Sequence, residues 1–291
     1  MPAAPFDYEA PATLAEALDL LGERGPEARP LAGGQSLVPL LTLRLARPRL
    51  VVDLDRLHEL RAVRRTPDAL EIGALVRHRA LERGEGPLAL CPLLQEAAAL
   101  IGNTRVRTLG TLGGSVAHAD PAAELPAVLR ALDGAVVLRS TRGERVVGAG
   151  DFFVGMLTTA LAPDELLTAV RLPLPSPGAG FAVEEFSRRA GDFAVVAAVA
   201  VVELDGGAVA RARVALAGVG PVPARLDRLE AALLGERSGP DAIRRAVADR
   251  PLGIEPDGDI HASAEYRRHL AAVLTTRALE RAAEAARGAV V

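Results

Sequence analysis

Two glycine-rich segments in different parts of the chain constrain the fold more than any other feature of the sequence. The first, AGGQSL at residues 32–37, follows a short run that is typical of a strand. The second, TLGGS at residues 111–115, lies in a stretch rich in glycine and hydroxyl side chains and is followed by acidic residues. Glycine permits positive φ angles and lets a ligand approach the backbone closely. A tight turn explains either segment alone, but turns explain the pair less well.

Phosphate binding is the chemistry that such a pair suits. Successive exposed N–H groups form a concavity for phosphate oxygens, and Ser36, Thr111 and Ser115 add hydroxyl donors. One loop suits one phosphate, so two loops on different elements suit a pyrophosphate held between them. Neither loop has the GxGxxG spacing, which excludes a dinucleotide site of the Rossmann type.

The hydrophobic pattern predicts an α+β chain in two parts. A capping box from Thr13 to Glu16 begins an amphipathic helix at residues 13–24, and roughly the first 60 residues form a small α/β unit. A Pro/Gly break at residues 173–180 is the best candidate for a domain boundary. The stretch 102–120 shows neither helical nor strand periodicity. The remaining predicted elements are strands at residues 29–32, 50–54, 135–140, 144–147, 166–172, 195–204 and 208–217, a hairpin at 60–75, and helices at 92–100, 121–132, 224–236, 240–250 and 264–287.

Residue types that the chain lacks exclude several classes of function. Its single cysteine, Cys91, can form neither an intrachain disulfide nor the ligand set of an iron–sulfur cluster. The 291 residues include no lysine, which excludes P-loop nucleotide triphosphatases and Schiff-base chemistry. The five histidines show no metal-ligand spacing, so no metal site is predicted on this chain.

Charge and hydropathy give no sign of a nucleic-acid or membrane partner. The 34 basic and 37 acidic side chains leave a net charge of -3, without a basic footprint. The longest strongly apolar run, residues 193–202, is shorter than the ~20 residues that a membrane span needs, so it is predicted to be a buried strand. Residues 1–10 contain two acidic residues and no basic residue, unlike a secretory or mitochondrial signal. We therefore expect a cytoplasmic protein.

Both glycine-rich segments belong to longer motifs that resemble a known family. The segments AGGQSLVPLL (32–41) and NTRVRTLGTLGGSVAHADPAAELP (103–126) are similar to the two flavin motifs of the FAD-binding medium subunits of molybdenum hydroxylases. These enzymes include the carbon monoxide dehydrogenase and xanthine dehydrogenase relatives. The resemblance continues in the same order through residues 163–173, 186–200 and 265–279, so it covers nearly the whole chain.

The resemblance implies a flavin-binding fold of the vanillyl-alcohol oxidase or p-cresol methylhydroxylase type. Such an FAD-binding domain would occupy residues 1–176, with subdomains at about 1–57 and 58–176 and the cofactor between them. A C-terminal domain of the carbon monoxide dehydrogenase flavoprotein type would follow at residues 177–291. That domain is expected to be α+β, with a small antiparallel sheet and helices.

Matching the motifs residue by residue implies a non-covalent FAD site and no catalytic residue. Its parts are two pyrophosphate loops, a hydrophobic contact, two carboxylates for ribose or ribityl hydroxyls, and an apolar side chain beside the flavin. A carboxylate suits such hydroxyls because it can accept from two of them at once. The implied residues are Ala32, Gly33, Gly34, Gln35, Ser36, Leu37, Ile101, Thr111, Gly113, Gly114, Ser115, Asp120, Glu124 and Leu167.

The sequence departs from the family at one position near the expected flavin ring. Glu184 stands where some relatives carry a lysine, so the resemblance does not say what polarises the ring on that side. His118 follows the second loop and could face the flavin, but a polar loop residue is the plainer interpretation.

The function implied by the resemblance is electron transfer within a heteromeric molybdenum hydroxylase. A large molybdopterin subunit would hydroxylate the substrate, and a small subunit with two [2Fe–2S] clusters would connect it to FAD. The resemblance implies a dimer of such heterotrimers. A single cysteine agrees with clusters that lie only on a partner. The substrate and the final electron acceptor stay open. Two alternatives also remain: a stand-alone flavin oxidase of the same fold, and a non-enzymatic protein that uses the fold without flavin.

Overall fold

The computed structural model describes residues 3–289, in which helices pack around four β-sheets. The strands are β1 (Asp7–Glu9), β2 (Ala28–Leu31), β3 (Leu50–Asp53), β4 (Val63–Arg65), β5 (Ala69–Gly73), β6 (Ala135–Ser140), β7 (Gly143–Gly148), β8 (Phe153–Gly155), β9 (Thr158–Thr159), β10 (Leu166–Pro173), β11 (Gly180–Ser187), β12 (Ala194–Asp205), β13 (Ala208–Ala217) and β14 (Ala224–Arg225). The α-helices are α1 (Leu14–Arg24), α2 (Leu37–Thr42), α3 (His78–Arg83), α4 (Pro92–Leu100), α5 (Thr104–Leu109), α6 (Leu112–His118), α7 (Glu124–Ala131), α8 (Ala149–Phe152), α9 (Asp227–Leu233), α10 (Pro240–Ala248) and α11 (Ala264–Gly288).

The N-terminal unit is a three-stranded parallel sheet of order β1-β3-β2 with α1 packed on it. One half of the predicted capping box is present, because the Thr13 hydroxyl accepts from the Glu16 N–H at 3.2 Å. The Glu16 carboxylate accepts from the Ala12 N–H at 2.8 Å, one residue before the N-cap, and not from the Thr13 N–H. The apolar face of α1 is buried against the sheet together with Val52 and Leu57. At its carboxyl end β2 leads directly into the first glycine-rich loop.

The second unit is a five-stranded antiparallel sheet of order β4-β5-β10-β6-β7. Ile72, Leu138 and Val170 from its central strands are buried together with Leu94 of α4 and Leu125 of α7. The second glycine-rich segment lies on α6, which follows α5 and packs near β10. The two units therefore bring one glycine-rich loop each.

The C-terminal unit is an antiparallel sheet of order β11-β12-β13-β14, covered by α11. Along β12, Val199 and Val201 join the core of the second unit, while Ala198 and Val202 face the core that contains α11. Both faces of this strand are buried, which explains why its apolar run does not alternate with polar residues. Within residues 3–289, no helix has both the length and the apolar character needed to cross a membrane.

The α+β class is confirmed, and so is the small antiparallel C-terminal sheet with helices. The prediction for residues 102–120 is wrong in one respect, because the segment forms α5 and α6. Side-chain caps from Asn103 and Thr111 begin these helices, and at six and seven residues both are too short to display a helical period.

Strand β11 was not predicted, because the Glu184–Glu185 pair and the preceding Pro/Gly-rich run interrupt the alternation of apolar and polar residues that indicates a strand. The predicted helix at 224–236 is shorter in the structure, because Ala224–Arg225 pairs with β13 as β14 before α9 begins. Residues 174–179 between β10 and β11 belong to no helix or strand, and the domain bounds drawn there stay a prediction.

Candidate functional site

The first glycine-rich loop connects the end of β2 to the start of α2. Gly34 has a φ of +70°, a left-handed conformation that favours glycine. The backbone N–H groups of residues 33–37 donate to no acceptor within residues 3–289, whereas the Gly34 carbonyl already accepts from the Val38 N–H. The Ser36 hydroxyl, at the N-cap of α2, makes no capping bond. The loop thus offers a row of unpaired donors.

The second loop is built differently, because the N–H groups of residues 112–115 are already paired within the protein. The Leu112 and Gly113 N–H groups each donate at 2.9 Å, to the Val76 and Ala74 carbonyls respectively. The Gly114 N–H donates to the Thr111 hydroxyl at 3.1 Å, and the Ser115 N–H donates to the Thr111 carbonyl. Its glycines serve close packing: a Cβ at Gly113 would lie 2.5 Å from the Ala74 Cβ.

The two loops are in direct contact. A Cβ at Gly33 would lie 2.2 Å from the Leu109 carbonyl oxygen and 2.9 Å from the Gly110 Cα. A Cβ at Gly114 would lie 3.8 Å from the Ala32 Cβ. Backbone therefore meets backbone at Gly33, where no side chain can be accommodated without separating the loops.

A buried histidine, His78 at the start of α3, supports the second loop from behind. Its N–H donates to the Gly110 carbonyl at 2.9 Å, and its Nε2 lies 2.8 Å from the Thr111 carbonyl oxygen. Burial lowers the pKa of the imidazole from 6.5 to about 4. Sequence reasoning missed this role, because nothing in the local sequence shows that residues 78 and 110–111 are adjacent.

The acidic positions of the predicted site have different surroundings. The Asp120 carboxylate accepts from the Ala122 N–H at 2.9 Å and is half-buried. Glu124, at the first position of α7, is only 5% exposed. Burial raises its pKa to about 8, and repulsion from Glu185 on β11 adds to that rise. Glu124 is therefore largely protonated at neutral pH and can donate as well as accept a hydrogen bond.

Glu185 is a second functional candidate that sequence reasoning missed. Burial raises the pKa of its carboxyl to about 7, and its Oε2 atom has no hydrogen-bond partner within the described part of the chain. Because β11 belongs to the C-terminal unit and α7 to the second unit, the pair Glu124 and Glu185 lies where the two units meet. Only the tertiary fold brings these residues together.

The two predicted apolar positions differ in accessibility. Ile101 is half-buried at the end of α4, and its carbonyl accepts from the Arg107 guanidinium at 2.7 Å. Leu167 is 4% exposed and packs within the core around β10. Gly191, in the turn after β11, approaches this region, since a Cβ there would lie 2.5 Å from the Gly102 carbonyl oxygen.

Glu184, at the position where some relatives carry a lysine, is engaged by an arginine. The Arg281 guanidinium on α11 contacts the Glu184 carboxylate at 2.6 Å and the Glu96 carboxylate at 2.7 Å. These charge-assisted hydrogen bonds raise the pKa of Arg281. The charge of Glu184 is thus balanced within the protein.

The arrangement fits the diphosphate of a dinucleotide better than a metal ion. Consecutive unpaired N–H groups next to a positive-φ glycine can donate to the oxygens of an anion, and residues 109–110 abut this loop at Gly33. Among the described residues, no group of three or more His, Cys, Asp or Glu side chains could hold a metal ion. Cys91 is buried, and burial raises the pKa of its thiol to about 11.

Comparison with known proteins points to the same chemistry over both parts of the chain. Residues 4–175 match the family described as the FAD binding domain in molybdopterin dehydrogenase. Residues 181–282 match the family described as the CO dehydrogenase flavoprotein C-terminal domain.

Individual relatives align over nearly their full length. Caffeine dehydrogenase subunit beta of Pseudomonas sp. (strain CBB1) is 41% identical over 96% of this chain and 95% of its own. The carbon monoxide dehydrogenase medium chain of Afipia carboxidovorans is 38% identical over 95% of this chain and 96% of its own. Among solved structures, one chain of carbon monoxide dehydrogenase from Hydrogenophaga pseudoflava, in the form lacking the Mo-pyranopterin moiety, superimposes on this chain with a TM-score of 0.94. The two chains are 37% identical, and the match covers 98% of this chain and 99% of that one.

Proposed function

Because this chain belongs to the family of FAD-binding medium subunits of molybdenum hydroxylases, we propose that it links the iron–sulfur clusters of a partner subunit to an external electron acceptor. It is an FAD-binding oxidoreductase subunit, and we propose that it holds FAD without a covalent bond. The observation that carries the proposal is the loop at residues 33–37, whose N–H groups are unpaired and whose Gly33 abuts residues 109–110 next to the second glycine-rich loop.

The residues of the chain supply binding and orientation. The N–H groups of residues 33–37 and the Ser36 hydroxyl would hold the diphosphate, while Gly33 and Gly114 keep the two loops in contact. Ser115, Asp120, Glu124, Ile101 and Leu167 stay the proposed contacts for the rest of the cofactor. Bound FAD supplies the redox chemistry, which the side chains of this protein cannot perform by themselves.

The electron donor is proposed to be a partner with [2Fe–2S] clusters. Four thiolates are typically needed for each such cluster, and this chain has one cysteine. A molybdopterin subunit would complete the complex, as a dimer of heterotrimers. We place the cluster subunit near residues 102–120, because that segment borders the proposed flavin site and electron transfer needs a short path. The cytoplasmic location expected from the sequence stays a prediction.

Two properties of the purified chain test this proposal. Wild-type protein should be yellow, and denaturation should release its flavin into the protein-free filtrate, whereas a stand-alone oxidase with covalent flavin would retain it. Candidate substrates should reduce the flavin only when both partner subunits are present.

Two outcomes contradict the proposal. Reduction of the flavin by substrate in the isolated chain would favour the stand-alone oxidase. A folded but colourless protein that takes up no added FAD would favour a non-enzymatic role.

A further inference from the structure

His78 makes two hydrogen bonds to consecutive residues of the segment that supports the cofactor loops. Its main-chain N–H donates to the Gly110 carbonyl, and its imidazole bonds the Thr111 carbonyl. A carbonyl oxygen only accepts hydrogen bonds, so Nε2 must carry the proton and Nδ1 carries none in the neutral ring. The Nδ1 atom is buried and has no partner in residues 3–289.

The imidazole is packed tightly against the same segment. A Cβ at Gly110 would lie 2.8 Å from the His78 Nδ1 atom and 2.9 Å from its Cε1 atom. The neighbouring Arg77 donates to the Leu109 carbonyl and forms an ion pair with Asp55. Residues 77 and 78 therefore hold three consecutive carbonyls, at positions 109, 110 and 111.

This segment is also the surface that the first loop contacts. Gly33 approaches the Leu109 carbonyl and the Gly110 Cα so closely that a Cβ does not fit. Any movement of residues 109–111 would therefore change the gap between the two loops, and with it the site proposed for the diphosphate.

We propose that His78 is a positioning residue whose hydrogen bonds to the Gly110 and Thr111 carbonyls, here called the latch, hold residues 110–111 in place and thereby retain FAD. The latch is closed while the ring is neutral and opens when the ring is protonated. The proposal rests on the function proposed above. His78 does not touch the diphosphate in this arrangement; it acts through the backbone of the second loop.

The surroundings of the ring oppose its protonation while the latch is closed. Burial lowers its pKa most, and the cations Arg107 on α5 and Arg77 beside it lower the pKa further. The hydrogen bond to the Thr111 carbonyl raises the pKa, since the protonated ring still donates from Nε2, so the cost of protonation falls on Nδ1. Glu82 pairs with Arg107 at 3.0 Å and Asp55 pairs with Arg77, so these two acids face the arginines. A second proton would occupy Nδ1, where no acceptor is available.

Linkage gives the size of the expected pH effect. The pKa is about 4 when the ring is buried and 6.5 when it is free, so opening takes up a proton between these values. If FAD leaves through the open state, its release rate should rise about 30-fold between about pH 7.5 and about pH 5.

The test measures the rate of FAD release from wild type, two His78 variants and one control, with an excess of an FAD-specific apoprotein present as scavenger. His78→Gln keeps an amide N–H for the Thr111 carbonyl but cannot be protonated, so its release rate should lose most of the rise. His78→Leu leaves that carbonyl unpaired and should release FAD about tenfold faster than wild type at about pH 7.5, with no further rise at about pH 5 because leucine cannot be protonated. His58→Gln, at an exposed site, is the matched control and should behave like wild type.

Three results separate the possible failures. The latch is refuted if His78→Gln keeps the full pH dependence, which would point to Glu124 and Glu185 instead, since these carboxyls remain in every variant. Wild-type release from His78→Leu at neutral pH would refute the positioning role. If wild type binds no FAD, the proposed function fails. The role of His78 is then judged by urea unfolding, where wild type and His58→Gln, but neither His78 variant, should lose stability from pH 6.5 towards 4 because of His78.

Discussion

Replacing Gly33 with alanine tests whether contact between the two glycine-rich loops is needed to hold the cofactor. The added methyl group would lie 2.2 Å from the Leu109 carbonyl oxygen and 2.9 Å from both the Leu109 carbonyl carbon and the Gly110 Cα. All three atoms belong to the backbone, so no rotamer change relieves the contact. The segment is further held by Arg77 and His78.

The size of the effect follows from the displacement required. A carbon–oxygen contact of about 3.2 Å needs the loops to separate by about 1 Å, and overpacking of this kind costs ~1–3 kcal/mol. The apoprotein can relieve the strain by letting the loops part, but a diphosphate held between them requires the closed arrangement. We therefore expect FAD to bind roughly five- to a hundredfold more weakly.

The assay is a fluorescence titration of apoprotein with FAD, combined with urea unfolding of the same samples. Gly148→Ala is the control, because Gly148 lies in the same domain, has an ordinary φ of -66°, and has open space where a Cβ would point. This variant should bind FAD like wild type. The combination distinguishes a local effect on the site from a general loss of stability.

The reasoning is refuted if Gly33→Ala binds FAD with wild-type affinity and keeps wild-type stability. Such a result would mean that residues 109–110 can move aside without cost. It would also remove the structural basis for a site shared between the loops.

Four further substitutions test the glycine-rich loops and other parts of the structure. Gly34→Val should yield protein without flavin absorbance, since a branched side chain is strained at φ +70°. Gly114→Val should do the same, because its Cβ would lie 2.7 Å from the Thr111 hydroxyl that caps α6. A yellow, fully loaded variant would contradict either expectation. Glu124→Gln should be more stable than wild type in urea above about pH 8. The pKa of Glu124 is about 8 in the folded protein and 4.5 ordinarily, so the stability of wild type falls as the pH rises from 4.5 to 8. An equal dependence of stability on pH in both proteins would refute this. Arg281→Met should lower the free energy of unfolding by about 1 kcal/mol, because it removes the half-exposed ion pairs to Glu184 and Glu96. The loss should be smaller at high salt, which screens these pairs. A loss that does not depend on salt would instead indicate that the Arg281 side chain contributes through packing.

The glycine-rich loops could be predicted because their requirements are local. Positive φ at Gly34 is favoured by the residue type itself, which the sequence shows. The caps of α5 and α6 are equally local, yet both helices were missed because they are too short to display a helical period. The Thr13 N-cap of α1 and the hairpin between β12 and β13 were predicted from local sequence in the same way. The order of the family motifs along the chain could also be read from the sequence.

The different use of the two loops could not be predicted. Both contain a Gly-Gly pair, yet the first leaves its N–H groups unpaired and the second donates them to residues 74, 76 and 111. A pair of glycines does not show which acceptors lie within reach. That depends on how α6 docks against the loop after β5, which is a property of the assembled fold.

The sequence by itself determined the residue chemistry, the two loops, the family and the absence of cluster ligands. Only the tertiary structure decided that Gly33 abuts residues 109–110, that His78 supports the second loop, and that Glu124 faces Glu185. It also paired Glu184 with Arg281, a residue 97 positions away. The physical reason is that packing, desolvation and Coulomb interactions depend on distance in space, whereas a sequence records only distance along the chain.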